Sequence, residues 1–273
     1  MNFLARSAAL FLVALMSAAP AAAQFQPQVG QAGKDVIWVP TPDDVVERML
    51  TMAQVTANDF VIDLGSGDGK IAIMAAKKFG ARALGIEYNP DMVKLSQENA
   101  RQAGVAEKAS FRRADIFATD FSQASVITMY LLPALNMKLR PQILSMRPGT
   151  RVVSHSFSME DWEADEISTL DGRRAYFWLV PANVMGSWNL ETGSQKLEMS
   201  LEQTFQKVSG TITLGPIHAG LRDARLRGTN ISFAYLDQNG VRRDFNGRVA
   251  AGRMEGAFRD EKGAEGRWSA TKK

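Results

Sequence analysis

A short turn rich in glycine carries the clearest chemistry in this sequence. Three apolar residues, Phe60 to Ile62, run into Asp63, and glycines follow at positions 65, 67 and 69. A continuous apolar run predicts a buried parallel strand, and glycine permits close backbone approach to a ligand. The alanine-rich segment 71–79 predicts a helix, so this unit would place a ligand at a helix N-terminus.

The acid in front of the glycines indicates the charge of that ligand. A dinucleotide-binding turn has the spacing G-x-G-x-x-G and faces a pyrophosphate. Here the spacing is G-x-G-x-G, and Asp63 comes just before it. A carboxylate at this place would repel a pyrophosphate, but it suits a cationic ligand that carries an amino group. The turn alone leaves open the alternative of an ordinary glycine-rich connection.

Two further acids end the next two predicted strands. Ligands of such sheets bind outside the carboxyl ends of the strands, so Asp63, Glu87 and Asp115 are expected to face one cleft. Glu87 lies where an acid would accept both hydroxyls of a ribose. Asp115 can accept from an exocyclic amine, with Ile116 packed on a ring face. Each acid taken alone could instead be the N-cap of the following helix.

Strands and helices continue to alternate up to residue 182. Thr41 is predicted as the N-cap of the first helix, with Pro42 at its first position. Segments 125–131 and 150–157 are predicted as the fourth and fifth strands, and Asp171-Gly172 predicts a hairpin. The pattern predicts an α/β fold with a Rossmann-like, doubly wound, mostly parallel sheet and a terminal antiparallel hairpin.

The pattern of apolar and polar residues changes near residue 183. Helical periodicity stops, and alternating runs separated by glycine turns follow, at 197–204, 208–214, 221–227, 231–236, 241–249, 254–258 and 267–270. Short strands at this spacing predict an antiparallel all-β module over 183–273, as a small barrel or a sandwich. Basic residues outnumber acidic ones there, which raises an anionic partner as one interpretation. The alternative, which strand alternation favours, is a solvated polar face.

The N-terminus has the pattern of a targeting segment. Arg6, the apolar run Ala8 to Met16 and a small-residue site before Gln24 predict a cleaved signal peptide over 1–23. The run is shorter than the ~20 residues that cross a bilayer, so we expect a periplasmic or secreted product without a stable transmembrane span. An uncleaved anchor is the alternative. Residues 24–35 are polar and predicted as a flexible arm.

Composition excludes several classes of site. The 273 residues include no cysteine, which rules out disulfides, a thiolate nucleophile and a cysteine zinc site. Two histidines, His155 and His218, are too few for a histidine-rich metal site, so no metal is expected. The net charge of +3 is small, and no nucleic-acid partner is expected.

Residues 36–182 resemble a class I S-adenosylmethionine (SAM)-dependent methyltransferase. Within that class they resemble the protein-lysine methyltransferase-like family, which includes the mitochondrial ATP synthase c-subunit lysine methyltransferase. The motifs that carry the resemblance are Val39-Pro40-Thr41-Pro42, Asp63-Leu64-Gly65-Ser66-Gly67-Asp68-Gly69-Lys70, Gly85-Ile86-Glu87, Asp115-Ile116 and Tyr130-Leu131-Leu132-Pro133. The resemblance implies SAM as the cofactor and methyl transfer as the reaction, with protein lysine as one acceptor.

The resemblance also implies roles for particular residues. The glycine turn with Asp63 would hold the methionyl part of SAM, Glu87 the ribose, and Asp115 with Ile116 the adenine. Thr41 and its neighbouring prolines would close over the cofactor. The residues implied to bind the cofactor are Thr41, Asp63, Gly65, Ser66, Gly67, Glu87, Asp115 and Ile116.

Two residues are candidates for the acceptor side. Tyr130, at the end of the fourth strand, would line the acceptor pocket, and His155 could assist proton removal. A core aromatic and a structural histidine are the respective alternatives. Many amine methyltransferases place Asn/Asp-Pro-Pro-Tyr after the fourth strand, which this chain lacks, so glutamine or base-amine methylation is not expected. That departure and the signal peptide raise a second hypothesis, an exported non-catalytic binding or scaffold protein that keeps the fold.

Overall fold

The computed structural model describes residues 25–273, and the predicted signal peptide lies outside them. The first part of the described chain contains seven strands and four helices. The strands are β1 (Phe60–Leu64), β2 (Arg82–Glu87), β3 (Ala109–Arg113), β4 (Val126–Met129), β5 (Arg151–His155), β6 (Glu166–Leu170) and β7 (Arg173–Leu179). The helices are α1 (Asp43–Met52), α2 (Lys70–Phe79), α3 (Pro90–Gln102) and α4 (Pro133–Leu144).

These seven strands form one mixed sheet in the order β3-β2-β1-β4-β5-β7-β6. Strands β1 to β5 are parallel, whereas β7 is antiparallel to β5 and to β6. Helices α1, α2 and α3 contribute to one buried apolar cluster and α4 to another. The structure therefore confirms the predicted α/β fold and its terminal antiparallel hairpin.

Helix α1 begins differently from the prediction. Pro42 is the N-cap, and no side chain caps the helix. The predicted cap, Thr41, points its hydroxyl at the imidazole of His155 instead. The predicted N-cap was therefore wrong, because the Thr41 hydroxyl forms a hydrogen bond with a residue distant in the sequence.

Helix α4 does not end at its internal proline. A proline inside a helix disfavours its continuation, yet α4 continues through Pro141 to Leu144. Leu139 and Ile143 are buried on either side of the proline. Their burial stabilises the helical path where the missing backbone N–H disfavours it.

Nine further strands form a separate antiparallel sheet, called here the C-terminal sheet. They are β8 (Gly186–Thr192), β9 (Gln195–Thr204), β10 (Lys207–Leu214), β11 (Ile217–Gly220), β12 (Arg222–Arg227), β13 (Asn230–Leu236), β14 (Arg242–Ala250), β15 (Arg253–Asp260) and β16 (Glu265–Lys272). Their order is β11-β10-β9-β8-β16-β15-β14-β13-β12. This confirms the predicted all-β module and adds two unpredicted strands, β8 and β11.

The C-terminal sheet curls on itself rather than splitting into two stacked sheets. The N–H of Leu221, just before β12, donates to the carbonyl of Gly210 in β10 at 2.9 Å. Strand β8 was not predicted from the sequence. In it, Trp188 and Leu190 are buried between exposed polar residues. Its alternation was present in the sequence, but its Asn and Gly content resembles that of a loop.

Among residues 25–273, no helix is long and apolar enough to span a membrane.

The turn between β9 and β10 packs against the first part of the chain. The Phe205 ring lies 6.0 Å from the buried Trp162 ring, and the guanidinium of Arg140 lies over its face. Beside it, Lys207 pairs with Glu163 at 2.6 Å. These contacts fix the segment 157–163, called here the wall segment, against the C-terminal sheet.

We predict that Phe205→Ala loosens the wall segment. Truncation removes a half-buried ring and costs about 1–2 kcal/mol, less than a fully buried phenylalanine would. Hydrogen exchange at residues 157–163 should become faster than in the wild type. Phe258→Ala, which truncates a half-buried ring inside the C-terminal sheet, is the matched control. Equal exchange in the two variants would contradict the bracing role.

Candidate active site

A cleft opens at the carboxyl ends of strands β1 to β4. All eight residues predicted to bind the cofactor line it, and so does Tyr130. The parallel arrangement explains this, since the carboxyl ends of neighbouring strands share one edge of the sheet. The structure thus brings the predicted residues together, with His155 as the exception.

Asp63 is the most buried of the three acids. Its side chain is 2% exposed, and Oδ1 accepts a hydrogen bond from the hydroxyl of Thr128 at 2.7 Å. Burial raises the pKa of Asp63 to about 7, and the carboxylates of Asp68 and Glu87 contribute to the rise. This carboxyl is therefore poised to ionise near neutral pH when a cation enters the cleft.

Glu87 is fixed by the backbone on both sides. Its Oε2 accepts from the N–H of Gly67 at 3.0 Å, and its Oε1 accepts from the N–H of Asn89 at 2.8 Å. Each carboxylate oxygen keeps a further lone pair. The carboxylate is thus oriented at the edge of the cleft, where it can accept from hydroxyl groups of a ligand.

The glycine turn needs its glycines. Gly67 has φ of +54°, and a Cβ there would lie 2.7 Å from Nε1 of Trp38. Gly65 and Ser66 both donate their N–H groups to the carbonyl of Ile86. The backbone of the turn therefore bends tightly against β2, and the indole of Trp38 packs where a side chain at position 67 would lie.

Asp115 meets a residue that sequence analysis did not place at the site. Its Oδ2 lies 2.6 Å from Nζ of Lys34, and its Oδ1 accepts from the N–H of Phe117 at 2.9 Å. The Lys34 ammonium, followed by that N–H, holds the pKa of Asp115 below its usual range. Lys34 also lies 4.9 Å from the centre of the Tyr88 ring. The cleft therefore has a basic residue at its β3 end.

Lys34 and Trp38 belong to a turn that covers the cleft. Residues Ala32 and Ile37 pair as an antiparallel bridge, and the N–H of Trp38 donates to the carbonyl of Gln31 at 2.9 Å. Part of this segment was predicted as a flexible arm. Neither apolar periodicity nor a known motif marks these two residues, so only their position in space reveals them.

Tyr130 lies at the far wall of the cleft, and His155 packs behind it. The Tyr130 ring centre lies 4.0 Å from that of His155 and 6.1 Å from that of Phe157. His155 is 3% exposed, and its Nδ1 lies 3.1 Å from Oγ1 of Thr41. It lies behind Tyr130 and Thr41 and is absent from the described lining of the cleft. The imidazole therefore does not face the cleft, and direct proton removal by His155 stays a prediction.

His155 is held in its neutral form. Burial lowers the pKa of the imidazole to about 4, and the nearby cation of Arg173 contributes to the fall. A neutral imidazole carries a single N–H. Its Nε2 is buried with no hydrogen-bond partner in the described structure.

Comparison with known proteins agrees with this site. Residues 63–166 match the ANTKMT methyltransferase domain. A protein-lysine N-methyltransferase from Saccharolobus islandicus is 43% identical over 134 residues, which are 48% of this chain and 83% of that relative. The ATP synthase c-subunit lysine N-methyltransferase of Homo sapiens is 32% identical over 132 residues, 48% of this chain and 56% of that relative.

A solved structure is also similar. The crystal structure of an RNA methyltransferase from Salinibacter ruber, in complex with S-adenosyl-L-homocysteine, is 50% identical to this chain, with a TM-score of 0.53. The match covers 54% of this chain and 96% of that one.

The fold and the acids at its strand ends are those of a class I SAM-dependent methyltransferase, an enzyme. More narrowly, the chain belongs to the protein-lysine methyltransferase-like family, as its similarity to the Saccharolobus islandicus enzyme shows. This confirms the predicted class and its cofactor, SAM. The chain spans about half the length of the human relative. None of these comparisons supports the alternative of a non-catalytic scaffold.

We predict that Asp63→Asn makes the protein more stable at neutral pH. The folded pKa of about 7 lies above the ordinary value of 3.8, so the stability that neutral Asp63 contributes is present below pH 4 and lost as the pH rises through 7. Relative to the wild type, the variant should gain about 2–4 kcal/mol between pH 4 and pH 8. Urea unfolding across this range measures it.

The control is Asp171→Asn, which removes one charge at an exposed hairpin turn. It should leave the pH dependence of unfolding as in the wild type. Parallel pH profiles for wild type and Asp63→Asn would contradict the buried, pKa-shifted carboxyl.

Proposed function

We propose that this methyltransferase transfers the methyl group of SAM to the ε-amino nitrogen of a lysine in a protein. The observation that carries the proposal is the row of acids Asp115, Glu87 and Asp63, which face one cleft at successive strand ends. The names of the relatives from Saccharolobus islandicus and Homo sapiens, both lysine N-methyltransferases, support the acceptor.

The strand order predicts how the cofactor would be oriented in the cleft. Strands β3, β2 and β1 are adjacent, with a spacing of about 4.8 Å. Asp115 with Ile116 would hold the adenine, Glu87 the ribose and Asp63 the ammonium group of the amino acid. The sulfonium would then lie toward β4, which Tyr130 directly follows.

The wall beyond the sulfonium suits a methylated amine. Tyr130 and Phe157 present aromatic rings to the cleft, and aromatic faces attract cationic nitrogen. In the transfer, the lysine nitrogen forms a bond to the methyl carbon as the carbon–sulfur bond breaks, and the sulfur leaves as a neutral thioether. The nitrogen must arrive neutral, and burial favours the neutral amine. The chain thus positions and desolvates the reactants.

The test uses the full chain with methyl-labelled SAM and a total protein extract. We expect label that proteinase K releases and ribonuclease does not, and N-methyllysine in the acid hydrolysate. Label in RNA, or on a residue other than lysine, would overturn the proposed acceptor. Absence of SAM binding by the wild type in calorimetry would overturn the proposed use of the cleft.

A variant pair tests the ribose contact. Glu87→Gln removes the charge that accepts the hydroxyl groups and should weaken SAM binding at least about tenfold, since hydrogen bonds to charged groups contribute about 1.5–3 kcal/mol. Glu107→Gln, at an exposed position, is the matched control and should bind like the wild type. Equal affinities would remove Glu87 from the proposed site.

We also propose that residues 1–23 are a cleaved signal peptide and that the enzyme acts outside the cytoplasm. The support is the sequence pattern of Arg6, the apolar run and the small residues before Gln24. Mass spectrometry of the protein from fractionated cells should find Gln24 as the N-terminus in the periplasm or medium. A cytoplasmic chain that retains residues 1–23 would contradict the proposal.

A further inference from the structure

A buried pair of side chains stands between the cleft and the core. Thr41 lines the cleft but is only 5% exposed. His155 of β5 lies behind it, with Nδ1 at 3.1 Å from Oγ1. Thr41 does not cap α1, so its hydroxyl is not engaged by its own helix. The contact between these two side chains has no role in the site as described so far.

The imidazole can share one proton in two ways. If Nε2 carried it, a buried N–H would have no acceptor in the described structure, and orphaned buried N–H groups are rare. If Nδ1 carries it, that N–H donates to Oγ1 of Thr41, and only a lone pair is left unpaired. The second tautomer is therefore the one that the surroundings favour.

This tautomer fixes the role of Thr41. A hydroxyl has one O–H to donate, and Oγ1 already accepts from His155. The O–H of Thr41 has no other partner among the described hydrogen bonds, and the residue lines the cleft. Its hydrogen is therefore available to a ligand as a donor.

The strand order indicates which part of the ligand it meets. Asp115 lies just after β3 at one end of the cleft, whereas His155 lies on β5 at the other. With adenine at the β3 end, the amino-acid end of the cofactor would lie toward Thr41. Lys70 lies near the same end of α1, where its Nζ pairs with Asp43 at 2.8 Å. That end of the cleft thus offers donors for an anion, as a carboxylate requires.

We propose that His155 holds the hydroxyl of Thr41 so that Thr41 donates to the carboxylate at the amino-acid end of SAM. His155 is thus a positioning residue, and Thr41 is a specificity residue for the amino-acid end. The inference rests on the proposed use of the cleft for SAM. It replaces a role for His155 in proton removal with a role in cofactor recognition.

Calorimetry with two ligands tests it. Thr41→Val keeps the shape of the side chain and removes the hydroxyl. It should weaken SAM binding about tenfold or more, as for a hydrogen bond to a charged group, and leave decarboxylated SAM unaffected. Thr41→Ser should bind SAM like the wild type. Thr169→Val, on an exposed strand, is the matched control.

The role of His155 has its own variants. The amide N–H of Asn can replace Nδ1–H, so His155→Asn should retain most of the SAM affinity. His155→Leu should lose affinity for SAM and keep it for decarboxylated SAM, as Thr41→Val does. In the wild type, long-range ¹H–¹⁵N NMR should show the Nδ1-protonated neutral tautomer, a measurement that holds even if a variant fails to fold.

The outcomes separate the two proposals. A wild type that binds no SAM overturns the proposed function. A wild type that binds SAM with an affinity unchanged in Thr41→Val overturns this inference alone. An equal loss for SAM and decarboxylated SAM, or a proton on Nε2, overturns it as well.

Discussion

The site depends on the placement of negative charge along one edge of a parallel sheet. Asp63, Glu87 and Asp115 lie at or just after the ends of three neighbouring strands and line one cleft. Burial makes a negative charge costly at Asp63, whose pKa rises to about 7, and the carboxylates of Asp68 and Glu87 contribute to the rise. A ligand with a positive charge relieves this cost, which an anionic pyrophosphate would increase. The same geometry therefore selects a sulfonium nucleoside over a dinucleotide.

The chain offsets part of that charge with its own residues. At the β3 end, the ammonium of Lys34 pairs with Asp115. At β1, the neutral hydroxyl of Thr128 donates to Asp63. At the β5 end, the neutral imidazole of His155 adds no charge, and Thr41 presents a hydroxyl. The partners of the cleft residues thus change from an ammonium at the β3 end to a hydroxyl and a neutral imidazole beside β5.

The C-terminal sheet touches the enzyme at places with different consequences. The carbonyl of Gly228 accepts the N–H of Ala182 at 2.8 Å, and a Cβ on Gly228 would meet Gly149, which precedes β5, at 3.2 Å. That contact lies at the amino ends of the strands, away from the cleft. The contact of Phe205 with Trp162 instead supports the wall segment, at whose start Phe157 lines the cleft. An anionic partner for this sheet stays a prediction.

The sequence predicted the fold class and a set of residues that the structure brings together in one cleft. Apolar runs, glycine spacing and acids at strand ends are local features, and the alternation of strands and helices indicates a parallel sheet. The alternating pattern also predicted the C-terminal sheet, although β8 and β11 were missed. Local rules went wrong where a tertiary contact outweighed them, as for the hydroxyl of Thr41 and the path of α4 through Pro141.

What the sequence by itself determined was which residue types end the strands and which charge their ligand must carry. Only the tertiary structure decided which residues close the cleft. Lys34 reaches Asp115 and Trp38 covers Gly67 through contacts between segments far apart in the chain, and His155 is withdrawn behind Thr41. Periodicity and spacing report on neighbours along the chain, whereas these partners are chosen by packing across it.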